Sequence, residues 1–243
     1  MADEPAPAAA PGGWRSRNVV ALGLVSFFTD IHSETILALL PQFMANVLGL
    51  KTGTIGIIEG LAEATASGLK ILSGWWSDRV RKRKPVVLAG YTLSTLTKPL
   101  LALAGAGWHV LAVRLADPVG KGIRSSARDA LVADSVVPAE RGRAFGFHRA
   151  MDTAGAIVGT ALAIVLFRAL QGDYRRIFLV STLAGVAAVV ALIVGVREQP
   201  PGPKVAKQPP AELPGSLPLF LAAHFVYSAG NFTYAFFLLR AQQ

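Results

Sequence analysis

Residues 74–85 read "GWWSDRVRKRKP": an apolar stretch ends in two tryptophans, a lone acid, Asp78, and five bases within residues 79–84. So dense a positive charge at the end of a hydrophobic segment is the mark of a short loop that anchors a membrane-spanning helix. The composition around it agrees. Of 243 residues, 52% are hydrophobic and only 16% charged, and the mean hydropathy is +0.46. A soluble domain carries about 25% charged residues. The apolar residues fall in blocks of helical length, which predicts an integral membrane protein.

Seven hydrophobic segments are expected, near 19–48, 53–77, 85–106, 108–133, 143–168, 177–196 and 217–239. Each covers the ~30 Å of hydrocarbon as a helix of about 20 residues or somewhat more. Helix is required, since an isolated span must satisfy its backbone polar groups internally. Pro41 is expected to bend or end the first segment. Pro118, with Gly120 and Gly122, is expected to break the regularity of the fourth. Residues 1–18, rich in Ala and Pro, lack a basic signal-peptide start and read as a disordered cytoplasmic tail. Residues 19–197 form a six-helix unit, 198–216 a Pro-rich cytoplasmic linker, and 217–240 a seventh span.

Charge sets the orientation. With the N-terminus in the cytoplasm, the inside holds Arg15, Arg17, Arg79, Arg81, Lys82, Arg83, Lys84, Arg141, Arg143, Arg197, Lys204 and Lys207. The outside holds Lys51, Arg168, Arg175, Arg176 and Arg240. This bias favours a cytoplasmic N-terminus, and it accounts for the net charge of +9 without a nucleic-acid partner. The absence of cysteine excludes disulfides, thiolate metal sites and cysteine nucleophiles. Neither a metal nor another cofactor is expected.

Fourteen charges fall inside the expected spans: Lys70, Lys98, Arg114, Lys121, Arg124, Arg128 and Arg149 against Asp30, Glu34, Glu59, Glu63, Asp117, Asp129 and Asp152. Each costs about 2.5–3.5 kcal/mol at mid-helix on insertion scales, so they must face one another or water. Their spacing puts them on shared faces. Asp30 and Glu34, Glu59 and Glu63, and His148 and Asp152 are i,i+4 pairs. Arg114, Asp117, Lys121, Arg124 and Arg128 form one stripe. Helices 1, 2, 4 and 5 are expected to line a polar interior. Helix 6, uncharged, faces lipid, and helix 3 is peripheral apart from Lys98. A single buried ion pair can serve packing alone, but so many together point to a substrate or proton pathway. Histidines 32 and 148 read as structural.

The motifs then resemble the major facilitator superfamily. Gly74, Asp78, Arg79, Lys82 and Arg83 match its loop 2–3 signature, with Arg81 where the family usually has Gly. "RLADPVGKGIR" is similar to its fourth-helix motif, with Arg114 as the arginine, and "RGRAFG" (141–146) to its loop 4–5 signature. "GAIVGTA" (155–161) is a partial helix 5 glycine motif, with Thr160 in place of Pro. "GKGIRSSARDALVADSVVPAERGRAFGFHRAMDT" resembles a bacterial permease subgroup, and "SAGNFTYAFFLLRA" fits its seventh helix.

The resemblance implies an all-α fold, a six-helix bundle of two inverted three-helix repeats, followed by the start of a second six-helix half that this chain lacks. It implies a secondary transporter of a small molecule in the inner membrane, with protons as a possible coupling ion and efflux mildly favoured. Gly74, Asp78, Arg79, Lys82, Arg83 and Arg141 would form a conformational latch. Asp30, Glu34, Glu59, Glu63, Arg114, Asp117, Lys121 and Asp152 would line the substrate and proton pathway, with Glu63 or Asp30 as proton carrier and Arg114 as the tuning cation. The alternative is an inactive fragment or a non-transporting helical scaffold. An enzyme is not expected. "ARDALVADS" lacks the remaining acids of an alcohol phosphotransferase, and "PVGKGIRSS" has Gly where a phosphate loop needs Ser or Thr after Lys.

Overall fold

The structure, a computed structural model, describes residues 13–77, 82–199, 215 and 217–229, with the backbone alone given for Ser67, 70–77 and 225–229. The helices are α1 (Arg17–Leu37), α2 (Leu40–Asn46), α3 (Thr52–Ser77), α4 (Arg83–Thr97), α5 (Gly107–Asp134), α6 (Arg141–Ala169), α7 (Tyr174–Gly195) and α8 (Leu217–Ala229). Tight 3-10 turns, Lys98–Leu103 and Pro138–Glu140, extend α4 and precede α6. No strand occurs among the described residues.

Among the described residues, four stretches are long and apolar enough to cross a membrane: Arg17–Asn46, Arg83–Leu103, Pro138–Ala169 and Tyr174–Gly195. Helices α3 and α5, of 26 and 28 residues, match them in length, and α5 carries the Arg114–Arg128 charge stripe. The chain divides into two compact units, Met1–Pro200 and Pro201–Gln243. In the second, α8 exposes Leu219, Phe220 and Leu221.

The two prolines behave differently. The first segment does break near Pro41: α1 stops at Leu37, and α2 restarts with the proline in its first turn, where a missing N–H costs nothing. The break expected at Pro118 is absent, because α5 runs through it unbroken. Packing overrides the local penalty here. A Cβ on Gly120 would lie 2.9 Å from Gly90 O, and one on Gly122 3.3 Å from Leu69 Cβ. Thus α4 and α3 pack closely on α5 within a turn or so of the proline, and the helix continues through it.

Packing in the first unit has a two-fold pattern. α1 packs mainly on α6 and α7, and α5 mainly on α4 and α3. The first helix of each three-span set therefore docks on the second and third helices of the other set, as two inverted, interlocked repeats require. Glycines set the closest approaches, as expected where lipid supplies no hydrophobic drive between helices. On α6, a Cβ at Gly155 would sit 2.5 Å from Phe27 O, and one at Gly159 would sit 2.8 Å from Ile31 O. Thr35 Oγ1 also donates to Gly159 O at 3.0 Å. Helix α7 buries the stripe Tyr174, Ile177, Phe178, Ser181, Gly185, Ala188 and Leu192. It exposes Leu183, Val186, Val190 and Val194, an uncharged outer face suited to acyl chains.

A polar belt ties the helix ends at one end of this unit, called here the basic end. Arg17 donates to the carbonyls of Val194 and Gly195 at 2.7 and 3.0 Å, and Lys84 Nζ to Ile193 O at 3.0 Å. Two cations thus neutralise the negative end of α7. The Glu198 carboxylate accepts from the backbone N–H groups of Arg83 and Lys84 at 3.0 and 2.9 Å, filling donors that the first turn of α4 leaves open. Asn18 bonds both backbone groups of Arg197, at 2.8 and 2.9 Å, and donates to Ser135 Oγ at 3.0 Å. Arg83 pairs with Asp134.

Two measurements check this packing. Gly155→Leu forces α1 and α6 apart and lowers unfolding stability in detergent by roughly 1–3 kcal/mol or more. Gly142→Ala, in open space on the same helix, leaves it unchanged or slightly raised. Glu198→Ala removes the cap on α4, costing on the order of 1 kcal/mol, and should speed proteolysis near residue 198.

Candidate functional site

The centre of the first unit is a buried ion pair. Helix α4 ends at the Lys98-Pro99 step, where the chain tightens into the 3-10 turn. There Lys98 is 3% exposed, and its Nζ lies 2.9 Å from Asp117 Oδ1 of α5, itself 5% exposed. Lys98 Nζ also donates to Ser33 Oγ of α1 at 2.8 Å, so one ammonium joins three spans. Lys121, one turn along α5, approaches the other Asp117 oxygen at 3.6 Å. His32, beside Ser33, is buried with its Nδ1 3.2 Å from Ser181 Oγ of α7. Two charges buried so deeply cost several kcal/mol each to desolvate, and only close pairing with added hydrogen bonds offsets that cost.

A second group lies between α1 and α6. Asp152 bonds Ser26 Oγ, and it has His148 Nδ1 at 3.9 Å and Arg149 Nη1 at 3.7 Å. Asp30 is half-buried and feels the charges of Asp152, Lys121, Arg124 and Glu34. It thereby links this group to the Lys98–Asp117 centre. Arg124, 5% exposed, stacks its guanidinium 4.0 Å over the Tyr91 ring of α4. Its Nε and Nη1 make no hydrogen bond among the described residues. Arg128 pairs with its neighbour Asp129 at 2.9 Å.

The remaining expected positions are spread out. Arg114 pairs with Glu59, tying α5 to α3. Glu34 is half-buried. Glu63, one turn beyond Glu59, is exposed and has no ion-pair partner among the described residues. In the basic cluster, Lys82 and Arg141 are exposed and Arg83 is held by Asp134. Asp78 and Arg79 lie outside the described residues, as do the surroundings of Gly74 and the side chain of Lys70.

Lys98, Ser33, Ser26 and Arg124 were not among the pathway positions expected from sequence. For Lys98 the signal was present: a lone charge in an otherwise uncharged span, directly before a proline. Ser26 and Ser33 carry no such signal, because a serine in an apolar helix is common. No group of three His, Cys, Asp or Glu side chains able to hold a metal occurs among the described residues.

Comparison with known proteins agrees with this architecture. An uncharacterised MFS-type transporter of Methanocaldococcus jannaschii is 36% identical over 230 residues, 94% of this chain and 57% of that protein. The multidrug resistance protein MdtH of Photorhabdus laumondii is 32% identical over 145 residues, covering 60% of this chain and 35% of that protein. The chain spans about half the length of the curated relatives it matches over most of its own length. Among solved structures, an inward-facing, unoccupied bacterial homologue of the human lysosomal transporter Spinster superposes with a TM-score of 0.68 at 18% identity. The match covers 94% of this chain and 50% of that one. A peptide transporter POT bound to sulfate gives 0.68 at 18% identity, over 94% of this chain and 49% of that one. The Major Facilitator Superfamily profile matches residues 22–242. With the interlocked repeats and the apolar spans, this makes the chain a multi-pass membrane protein that belongs to the major facilitator superfamily.

Proposed function

We propose that this chain supplies the first helical half of a proton-coupled secondary transporter that exports a small molecule across the inner membrane, with its N-terminus in the cytoplasm. The observation that carries the reading is the buried Lys98–Asp117 pair, with Lys121 and Ser33 beside it, together with the Asp30 and Asp152 carboxylates of α1 and α6. Intramembrane ionisable groups of this density belong to pathways and relays. A half of this kind rocks against a second half around a midplane site, with residues 198–216 as the connection. The multidrug resistance names of several relatives support export.

Asp30 is the better proton carrier of the two positions considered. It is half-buried between acids and bases of three helices, whereas Glu63 is exposed. A carboxylate so placed can exchange its proton for a new partner when its surroundings shift. Asp117, Lys121 and Asp152 complete the pathway, and Arg114 with Glu59 steadies its wall. The cluster of Gly74, Asp78, Arg79, Lys82, Arg83 and Arg141 serves as the conformational latch. The Arg83–Asp134 contact supports its role in joining the loop after α3 to the end of α5.

The test is flux in proteoliposomes under an imposed pH gradient, with labelled metabolites, antibiotics and metal chelates. Gradient-dependent flux of at least one class is expected. No flux of any class would favour a non-transporting scaffold. Asp30→Asn should flatten the pH dependence of that flux, and an unaltered profile would remove Asp30 from the coupling step. Asp117→Leu alone strands the Lys98 charge and destabilises the protein by roughly 3–5 kcal/mol. The double variant Lys98→Met/Asp117→Leu should regain that stability while flux stays lost. Parental flux in the double variant would reduce the pair to a packing element.

A further inference from the structure

A groove at the basic end, beside the start of α6, has the makings of a lipid site. It has a volume of about 510 Å³ and is lined by Trp14, Arg143, Gly146, Phe147 and Ala150. It runs between the stretch preceding α1 and the first turns of α6. The Trp14 and Phe147 rings form its wall, with centroids 6.0 Å apart. Phe147 is fixed from behind, because its ring fills the space a Cβ on Gly23 would need, 2.6 Å away. Gly146 leaves the floor without a side chain.

Charge and position identify the occupant. The guanidinium of Arg15 lies 4.7 Å over the Trp14 ring. Arg143 extends from α6 with its side chain 71% exposed, meeting only the rim acid Glu140 of its own turn, at 3.2 Å, among the described residues. Below the rim, α6 continues as an exposed, mostly apolar stripe of Ala150, Thr153 and Ile157. From Gly146 to Ile157 the helix rises roughly 16 Å, which is about one leaflet of a ~30 Å hydrocarbon core. A tryptophan beside arginines at a span's end marks the membrane interface. Basic side chains there attract anionic headgroups.

We propose that this groove binds an anionic phospholipid of the leaflet at the basic end. Its phosphate is held by Arg15 and Arg143, and one acyl chain lies along Phe147, Ala150 and the outer face of α6. The proposal does not rest on the chain's moving a substrate.

Bromine-labelled lipids test this directly, because bromine quenches tryptophan at contact. The chain is placed in phosphatidylcholine nanodiscs containing increasing brominated phosphatidylglycerol or brominated phosphatidylcholine. The Trp14 signal is taken as the difference from Trp14→Phe. Saturable quenching at low mole fraction of the anionic lipid is expected, weakening about fivefold for each of Arg15→Gln and Arg143→Gln. Ala150→Trp, read by competition with the parent, should fill the groove and abolish the preference without touching a charge. Equal quenching by both lipids would reduce the groove to ordinary lipid contact and overturn the proposal. So would an unchanged preference in the double arginine variant. Absence of quenching by either lipid would also overturn it, showing that polypeptide covers the groove.

Discussion

The hydrocarbon core of a membrane offers a charge neither water nor counter-ion, and the architecture of the first unit follows from that shortage. Lys98 and Asp117 are both almost fully buried. Neither is tolerable alone at that depth. Their 2.9 Å pairing, with Ser33 as a further acceptor for the ammonium, fixes α4, α5 and α1 relative to one another. The rotations of these three helices then determine which faces remain for α3, α6 and α7. The ion pair acts as a register pin, with Lys121 beside it.

Small residues make that pinning geometrically possible. Helices joined by short polar contacts must approach closely, and side chains beyond glycine would hold them apart. Gly155 and Gly159 bring α6 onto the backbone of α1, while Gly90 and Gly120 do the same for α4 and α5. Each of these two seams joins the leading helix of one three-span set to a helix of the other set. Proline is absorbed by the same packing. Pro118 lies within a continuous α5 close to its contacts with α4 and α3, whereas Pro41, next to a turn, marks a break.

Electrostatics divides the molecule into two regimes. At the basic end the bonds are between side chains and helix ends: Arg17 and Lys84 on the last carbonyls of α7, and Glu198 on the first N–H groups of α4. These contacts stand near water and are individually modest, so they can be remade. In the interior the charges are dry, few in partners and costly to separate. Asp30 belongs to neither group: it is half-buried and lies near charges of both signs.

Much of this was legible in the sequence, because hydropathy, charge asymmetry and helical spacing are local properties. They predicted the helical segments of the first unit, the uncharged outer helix and the one-turn spacing of Asp117 and Lys121. What they could not supply was helix rotation and partner choice. Spacing puts Glu59 and Glu63 on one face, yet among the described residues only Glu59 meets a base. Nothing local shows that Lys98, on a peripheral span, reaches inward to Asp117 and Ser33. The amino-acid sequence alone determined that the chain spans a membrane and that its intramembrane charges must be sheltered, since solvation energy depends on composition and depth. The tertiary structure alone decided which acid shelters which base, since that depends on the distances at which glycine seams allow the helices to meet.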